Sequence, residues 1–290
     1  MATLRDLKRQ IRSVKNIAKV TEALQTVSAV KFRKAEARVK RARPYAENME
    51  QMMRDVARHA RGESPLLVGR GGSRVAVASI TADRGLAGGF NAQVLRRTVQ
   101  FRRERDPEAI QVVSGRKAVA FFRFRRIEPK EVYTGFSASP TYEKAREIGH
   151  TLTKLFEGEE ADEVYLIYNR FESALTQRPV VTRLLPVAPE DDDEEEQQQD
   201  TSGTFLEYIP DAGEILERLV PRYVETMVWQ ALLESAAGEH GARMTAMKNA
   251  TDNANDLAKD LTLEMNKARQ AQITREISEI AAGAEALSAG

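Results

Sequence analysis

A glycine-rich turn, Asp83-Arg84-Gly85-Leu86-Ala87-Gly88-Gly89-Phe90-Asn91, follows an apolar run and precedes a helical pattern, where a phosphate-binding loop would stand. The dinucleotide fingerprint requires G-x-G-x-x-G, which this turn lacks. A P-loop ends in G-K-[ST], and here no lysine is placed for phosphate and no hydroxyl for magnesium. The turn therefore reads as a tight strand-to-helix connection. No G-x-S-x-G elbow or Ser-His-Asp ordering offers a nucleophile. His59, His150 and His240 are far apart, none in an H-E-x-x-H spacing, and there is no cysteine. The sequence thus points to no catalytic residue, no metal and no cofactor.

What stands out instead is charge. Residues 1–61 carry sixteen Lys/Arg against six Asp/Glu, and residues 211–290 carry eight against thirteen. The densest basic stretch, "KFRKAEARVKRARPY" at 31–45, sets seven cations against Glu36. A basic arm can bind nucleic acid, but few aromatics interleave here to stack bases. The competing expectation is a helix that is solvated or faces a protein partner. The run "EDDDEEEQQQD" at 190–200 repels itself and holds no apolar group, so it reads as a solvated loop.

These features must be carried by long helices around a different kind of core. From Met1 to about Arg61 there is no glycine, and Leu4, Leu7, Ile11, Val14, Ile17, Val20, Leu24 and Val27 recur every three or four residues. About 60 helical residues would span roughly 90 Å. Pro44 allows a bend or break. A second helical pattern runs from Asp211 to about Ala282, with Pro221 placed near its start and Gly238 and Gly241 inside it. Interior glycines mark the close approach of another backbone. The simplest expectation pairs the two helices along their stripes as an irregular antiparallel coiled coil. Between them, strand-like runs at 74–82, 109–115, 161–170 and 178–187 alternate with helical patterns at about 91–105, 116–123 and 141–157. That alternation predicts a Rossmann-like α/β domain with a largely parallel sheet. The expected division is an N-terminal helix at 1–61, a central α/β domain at 62–210 with an acidic loop at 190–203, and a C-terminal helix at 211–290. No apolar run approaches the ~20 residues needed to span a bilayer.

Three motifs resemble the γ subunit of F-type ATP synthases. They are "IRSVKNIAKVTEALQTVSAVKFRKAE" at 11–36, "ITADRGLAGGFN" at 80–91, and the C-terminal pair "ESAAGEHGARMTAMKNATDNANDL" and "NKARQAQITREISEIAAGAEAL" at 234–257 and 266–287. The pattern Ile273-Thr274-x-Glu276-x-x-Glu279-x-x-x-Gly283-Ala284 is the most specific of them. The turn departs from the family at Ala87, where members often carry cysteine.

The resemblance implies a non-catalytic rotor shaft that turns inside a ring of α and β subunits and couples proton or sodium flow to ATP synthesis. Implied partners are α, β and ε subunits and the membrane c-ring, with peripheral attachment at the cytoplasmic face of a bacterial plasma membrane and no nucleic acid. It implies rotor–stator contact through Arg84, Arg269, Gln270, Thr274, Leu24, Lys31 and Arg33. Contact with the membrane ring and ε is implied at Leu206 and Tyr208. Alternatives from other classes are a coiled-coil nucleic-acid-binding protein using 31–45 and a nucleotide-binding α/β enzyme using the glycine turn.

Overall fold

A computed structural model describes residues 3–59, 65–187 and 212–288. The elements in chain order are α1 (Leu4–His59), α2 (Pro65–Val68), β1 (Val75–Ile80), α3 (Phe90–Arg105), β2 (Ile110–Ser114), α4 (Arg116–Phe124), β3 (Glu131–Tyr133), α5 (Tyr142–Glu157), β4 (Glu163–Phe171), β5 (Gln177–Leu185) and α6 (Ala212–Ser288). The chain divides into two compact units, Met1–Val27 with Met244–Gly290, and Ser28–Arg243. The acidic run 190–200, Leu206 and Tyr208 lie outside the described residues.

The larger unit holds the expected α/β fold together with parts of both long helices, beyond the 62–210 span expected for it. Its five strands are ordered β3-β2-β1-β4-β5. Strands β1 to β4 are parallel, and β5 returns antiparallel along β4. Every residue of β1 is buried, as a central parallel strand covered on both faces must be, so "VAVASI" reads as one apolar run. One face of the sheet packs on α3 and α4 through Val94, Phe101, Leu95 and Phe122. The other packs on α5, on Met49, Met53 and Val56 of α1, and on Val220 to Leu232 of α6. Strand β3 leaves no strand pattern in the sequence, because it has three residues and exposes Glu131 and Val132.

Helices α1 and α6 are 56 and 77 residues long. Each runs through its proline, Pro44 and Pro221. Pro221 stands ten residues into α6 rather than in its first turn, where it would cost least. An interior proline costs about 3 kcal/mol. Burial of Val39, Ala46 and Met49 around Pro44, and of Val220, Tyr223 and Val224 around Pro221, offsets that cost.

In the smaller unit the seam is thinner than the apolar stripe suggests. Its buried residues are Leu7, Ala18, Thr21, Met247, Ala254 and Ala258. Thr21 Oγ1 and Thr251 Oγ1 share a hydrogen bond of 2.6 Å. Ile17, Val20 and Val27, expected at the seam, are exposed, as are Leu257, Leu263, Ile273, Ile277 and Ile280. Small residues let backbones approach closely, and two helices can cover only one seam. Every described side chain from Arg269 to Ala282 is exposed.

Candidate functional site: the carboxyl end of the sheet

In an open parallel sheet, loops at the carboxyl ends of the strands build the site, and the crevice opens where strand order reverses. Here the chain leaves β1 toward β2 and β3, then returns to β4 on the other side of β1. The reversal therefore lies between β1 and β4. A segment of α6 fills it. Gly238 lies against the Phe90 ring and Gln177, and a Cβ there would stand 3.0 Å from Phe90. Gly241 lies against the backbone of Ala174. Arg243 donates from Nε and Nη2 to the Gly85 carbonyl at 3.3 and 3.2 Å, and is paired with Glu239 at 2.7 Å. Both interior glycines mark close approach, but only at Gly241 is the neighbour another backbone, that of the β4–β5 hairpin; at Gly238 the neighbours are side chains.

The turn at 83–91 is accordingly a packed joint. Its left-handed residues are Leu86 (φ 63°) and Gly88 (φ 54°), so one of the two is not glycine. Leu86 is also 64% exposed. Asn91 accepts from the Ala82 N–H at 2.8 Å, and Asn169 Nδ2 donates to the Phe90 carbonyl at 2.9 Å. Asp83 is the centre of the joint. Its carboxylate accepts backbone N–H groups from Gly135 (2.9 Å), Ser137 (3.1 Å) and Arg116 (3.1 Å). Burial raises the affinity of this carboxyl for a proton, but these donors outweigh burial and hold its pKa below the ordinary value of 3.8. Asp83 thus ties the loops after β1, β2 and β3 together.

Beside this joint lies a recess of about 320 Å³ lined by Lys31, Asp83, Arg84, Arg116 and residues 135–139. Lys31, Arg84 and Arg116 are exposed, and among the described residues none of them forms an ion pair. Asp83, the carboxylate in the recess, is occupied by backbone donors. The recess therefore presents cations to solvent and suits carboxylate groups. Single exposed pairs contribute about 0–1 kcal/mol, so the contact favours steering over rigid docking.

Of the residues expected to touch partners, the structure brings Lys31 and Arg84 to one recess. Arg33 is exposed nearby on α1 but does not line it, and Leu24 is half-buried. Arg269, Gln270 and Thr274 sit together on the exposed end of α6. Arg116, Asp83, Glu234, His240 and Arg243 were not anticipated. The one signal for Arg116 is another glycine-bearing strand-to-helix turn, Gly-Arg-Lys at 115–117. Part of the basic arm is used internally. Arg38 donates to the Pro140 carbonyl and lies over the Trp229 ring, Arg43 donates to the Phe171 carbonyl, and Lys40 pairs with Glu36. That leaves a weaker basic stripe than seven free cations would make.

A family model described as ATP synthase matches residues 3–287. An ATP synthase gamma chain of Rubrobacter xylanophilus is 70% identical over 291 residues, covering 100% of both chains. One of Pelotomaculum thermopropionicum is 46% identical, covering 99% of this chain and 100% of the relative. Among solved structures, a chain of the Euglena gracilis mitochondrial ATP synthase aligns with a TM-score of 0.70 at 18% identity, covering 99% of this chain and 95% of that one. A chain from the central stalk and c-ring of the Tetrahymena thermophila mitochondrial ATP synthase aligns with a TM-score of 0.61 at 22% identity, covering 80% of this chain and 99% of the other. With a full-length model match and a 70% identical full-length relative, the chain belongs to the gamma chain family of ATP synthases.

Proposed function

We propose that this gamma chain is the central rotor stalk of an ion-translocating ATP synthase, carrying torque between a membrane c-ring and a head of α and β subunits. Full-length membership in the gamma chain family carries the reading. The structure supports it in two places. The smaller unit leaves Ile17, Val20, Val27, Leu263, Ile277 and Ile280 exposed along its helices, an apolar surface suited to a surrounding partner. The recess at the sheet end offers Lys31, Arg84 and Arg116 to carboxylates of the head.

In this reading the chain performs no catalysis and takes no cofactor. Its strand-reversal crevice, where such folds hold a nucleotide, is lined by α6 residues packed against Phe90, Gln177 and Ala174. Arg84, Lys31, Arg33 and Leu24 face the lever loops of β, and Arg269, Gln270 and Thr274 form the catch further along α6. Leu206 and Tyr208, outside the described residues, contact the ring and ε. Among the described residues no helix is long and apolar enough to cross a membrane. Attachment is therefore peripheral in this reading, through the complex, at the cytoplasmic face of a bacterial plasma membrane.

The test is reconstitution of α and β subunits and the membrane sector with and without this chain. ATP-driven ion pumping should require it. Pumping that persists without the chain overturns the proposal.

A further inference from the structure

Ten residues of α6 meet loops at the carboxyl ends of β1, β3 and β4 and the start of β5. Glu234 Oε2 accepts the Phe171 N–H at the end of β4 at 3.0 Å. Gly238 faces Gln177 at the start of β5, and Gly241 faces Ala174 in the β4–β5 hairpin. The His240 ring bonds the Ala138 carbonyl beyond β3 at 3.0 Å, and Arg243 bonds Gly85 beyond β1. At about 100° per residue, Glu234, Gly238 and Gly241 fall within about 60° of arc, and His240 and Arg243 fall on the opposite side. The helix is therefore held from both sides, by side chains bonded to backbone groups of the sheet domain.

We propose that this segment is a torsional key locking α6 to the α/β domain, and that Glu234 is its main positioning residue. Two features single out Glu234. Its carboxylate is buried, with the residue only 4% exposed, so water does not replace a lost bond. It also gathers three donors: Phe171 N–H, Gln230 Nε2 at 2.8 Å, and Arg43 Nη2 at 3.4 Å. Arg43, on α1, donates as well to the Phe171 carbonyl at 3.1 Å. Both backbone groups of Phe171 are thus held by side chains, one from each long helix. The glycine notches oppose sliding, because any other residue moved into them would bring a Cβ against Phe90 or the Ala174 backbone. Turning α6 about its own axis must break the Glu234 bonds to Phe171 and Arg43, whereas the bond from Gln230 lies within α6 and turns with it. Torque applied to the domain is then delivered to the helix through defined, directional hydrogen bonds in addition to the close packing of its apolar side chains.

The inference rests on the rotor reading, and the experiment separates the two. The assembled complex is immobilised by its head. A bead is attached to the α/β domain through Phe124→Cys, at an 88% exposed position in a chain with no cysteine of its own. Rotation under ATP with otherwise native sequence tests the rotor; an immobile bead overturns that reading. Angular variance within each pause tests the key. Glu234→Gln removes the charge and can accept at only one of the two former oxygens, so the bond from Phe171 or that from Arg43 is lost, and the variance should rise about twofold with pause positions unchanged. Glu234→Ala should broaden it further. Wild-type variance in Glu234→Gln overturns the key, and this variant alone decides if Glu234→Ala does not assemble. A purely structural role would shift the melting midpoint of the complex and leave the variance of assembled molecules unchanged.

Discussion

The carbonyl oxygen of Ala174 stands 3.0 Å from where a Cβ on Gly241 would be, and its Cα stands 3.2 Å away. A helix and a hairpin meet there with nothing between them. At Gly238, three residues earlier, the neighbours are the side chains of Phe90 and Gln177. The two glycines therefore answer differently to substitution.

Gly241→Ala gains about 1 kcal/mol of helix propensity and loses about 1–3 kcal/mol to overpacking against a backbone that cannot swing aside. A net loss of about 1 kcal/mol should appear as a lower urea midpoint at unchanged slope. Gly238→Ala should lose less, because its neighbours are side chains: Gln177 can move aside and the buried Phe90 ring need give by only a few tenths of an ångström. An equal or larger loss at Gly238 would show that the hairpin backbone is not the stricter neighbour.

Asp83→Asn removes the charge from a carboxylate that collects three backbone N–H groups, and should cost about 1–2 kcal/mol at pH 7. The folded-state pKa lies below 3.8, because these donors outweigh the effect of burial. The contribution is therefore complete above the unfolded value and is lost as pH falls through the folded one. Denaturant midpoints measured from pH 7 down to pH 3 should fall more steeply in wild type than in Asp83→Asn below about pH 4.

His240 has a dependence of the same sign in a higher pH window. Burial lowers its pKa below 6.5, against the backbone bond to Ala138 and the attraction of Glu239, which favour the charged form. Arg243 and Lys31 add to the lowering. As pH falls below 6.5 the unfolded chain takes up a proton first, so stability declines until the folded pKa is reached. His240→Gln can still donate to the Ala138 carbonyl and does not titrate. The slope between pH 7 and 5 should be shallower in this variant, measured by thermal or urea unfolding.

Arg84 is exposed and forms no ion pair among the described residues, so Arg84→Glu should change stability by no more than about 0.5 kcal/mol. It reverses the charge at the rim of the cationic recess and should lower the ratio of ions pumped to ATP hydrolysed in reconstituted vesicles. An unchanged ratio would remove Arg84 from the contact surface.

Where side chains face a continuous core, the sequence was legible. Strands β1 and β4 are buried almost throughout, so their apolar runs announce a parallel sheet. Gly238 and Gly241 signalled a close approach, although not that side chains meet the first and a hairpin backbone the second. Legibility failed where the partner is a remote backbone group. Asp83 is joined to loops 33 and 52 residues away, and no pattern local to "DRGLAGGFN" reports that. Arg38 and Arg43 looked like free charge because amphipathic side chains can carry a cation inward along an apolar stem. The stripe of α1 gave the helix correctly but overstated the seam, since periodicity marks a face and not what covers it. Family likeness identified the chain, while the tie from Glu234 to Phe171 needed coordinates.

The helix in the strand-reversal crevice has a consequence for how the domain is controlled. A site of this kind ordinarily fills and empties as the concentration of a small molecule rises and falls. Here the occupant is tethered to its host, so its effective concentration is set by the chain itself. A fold widely used to hold a small molecule at this end of its sheet here holds a segment of its own chain.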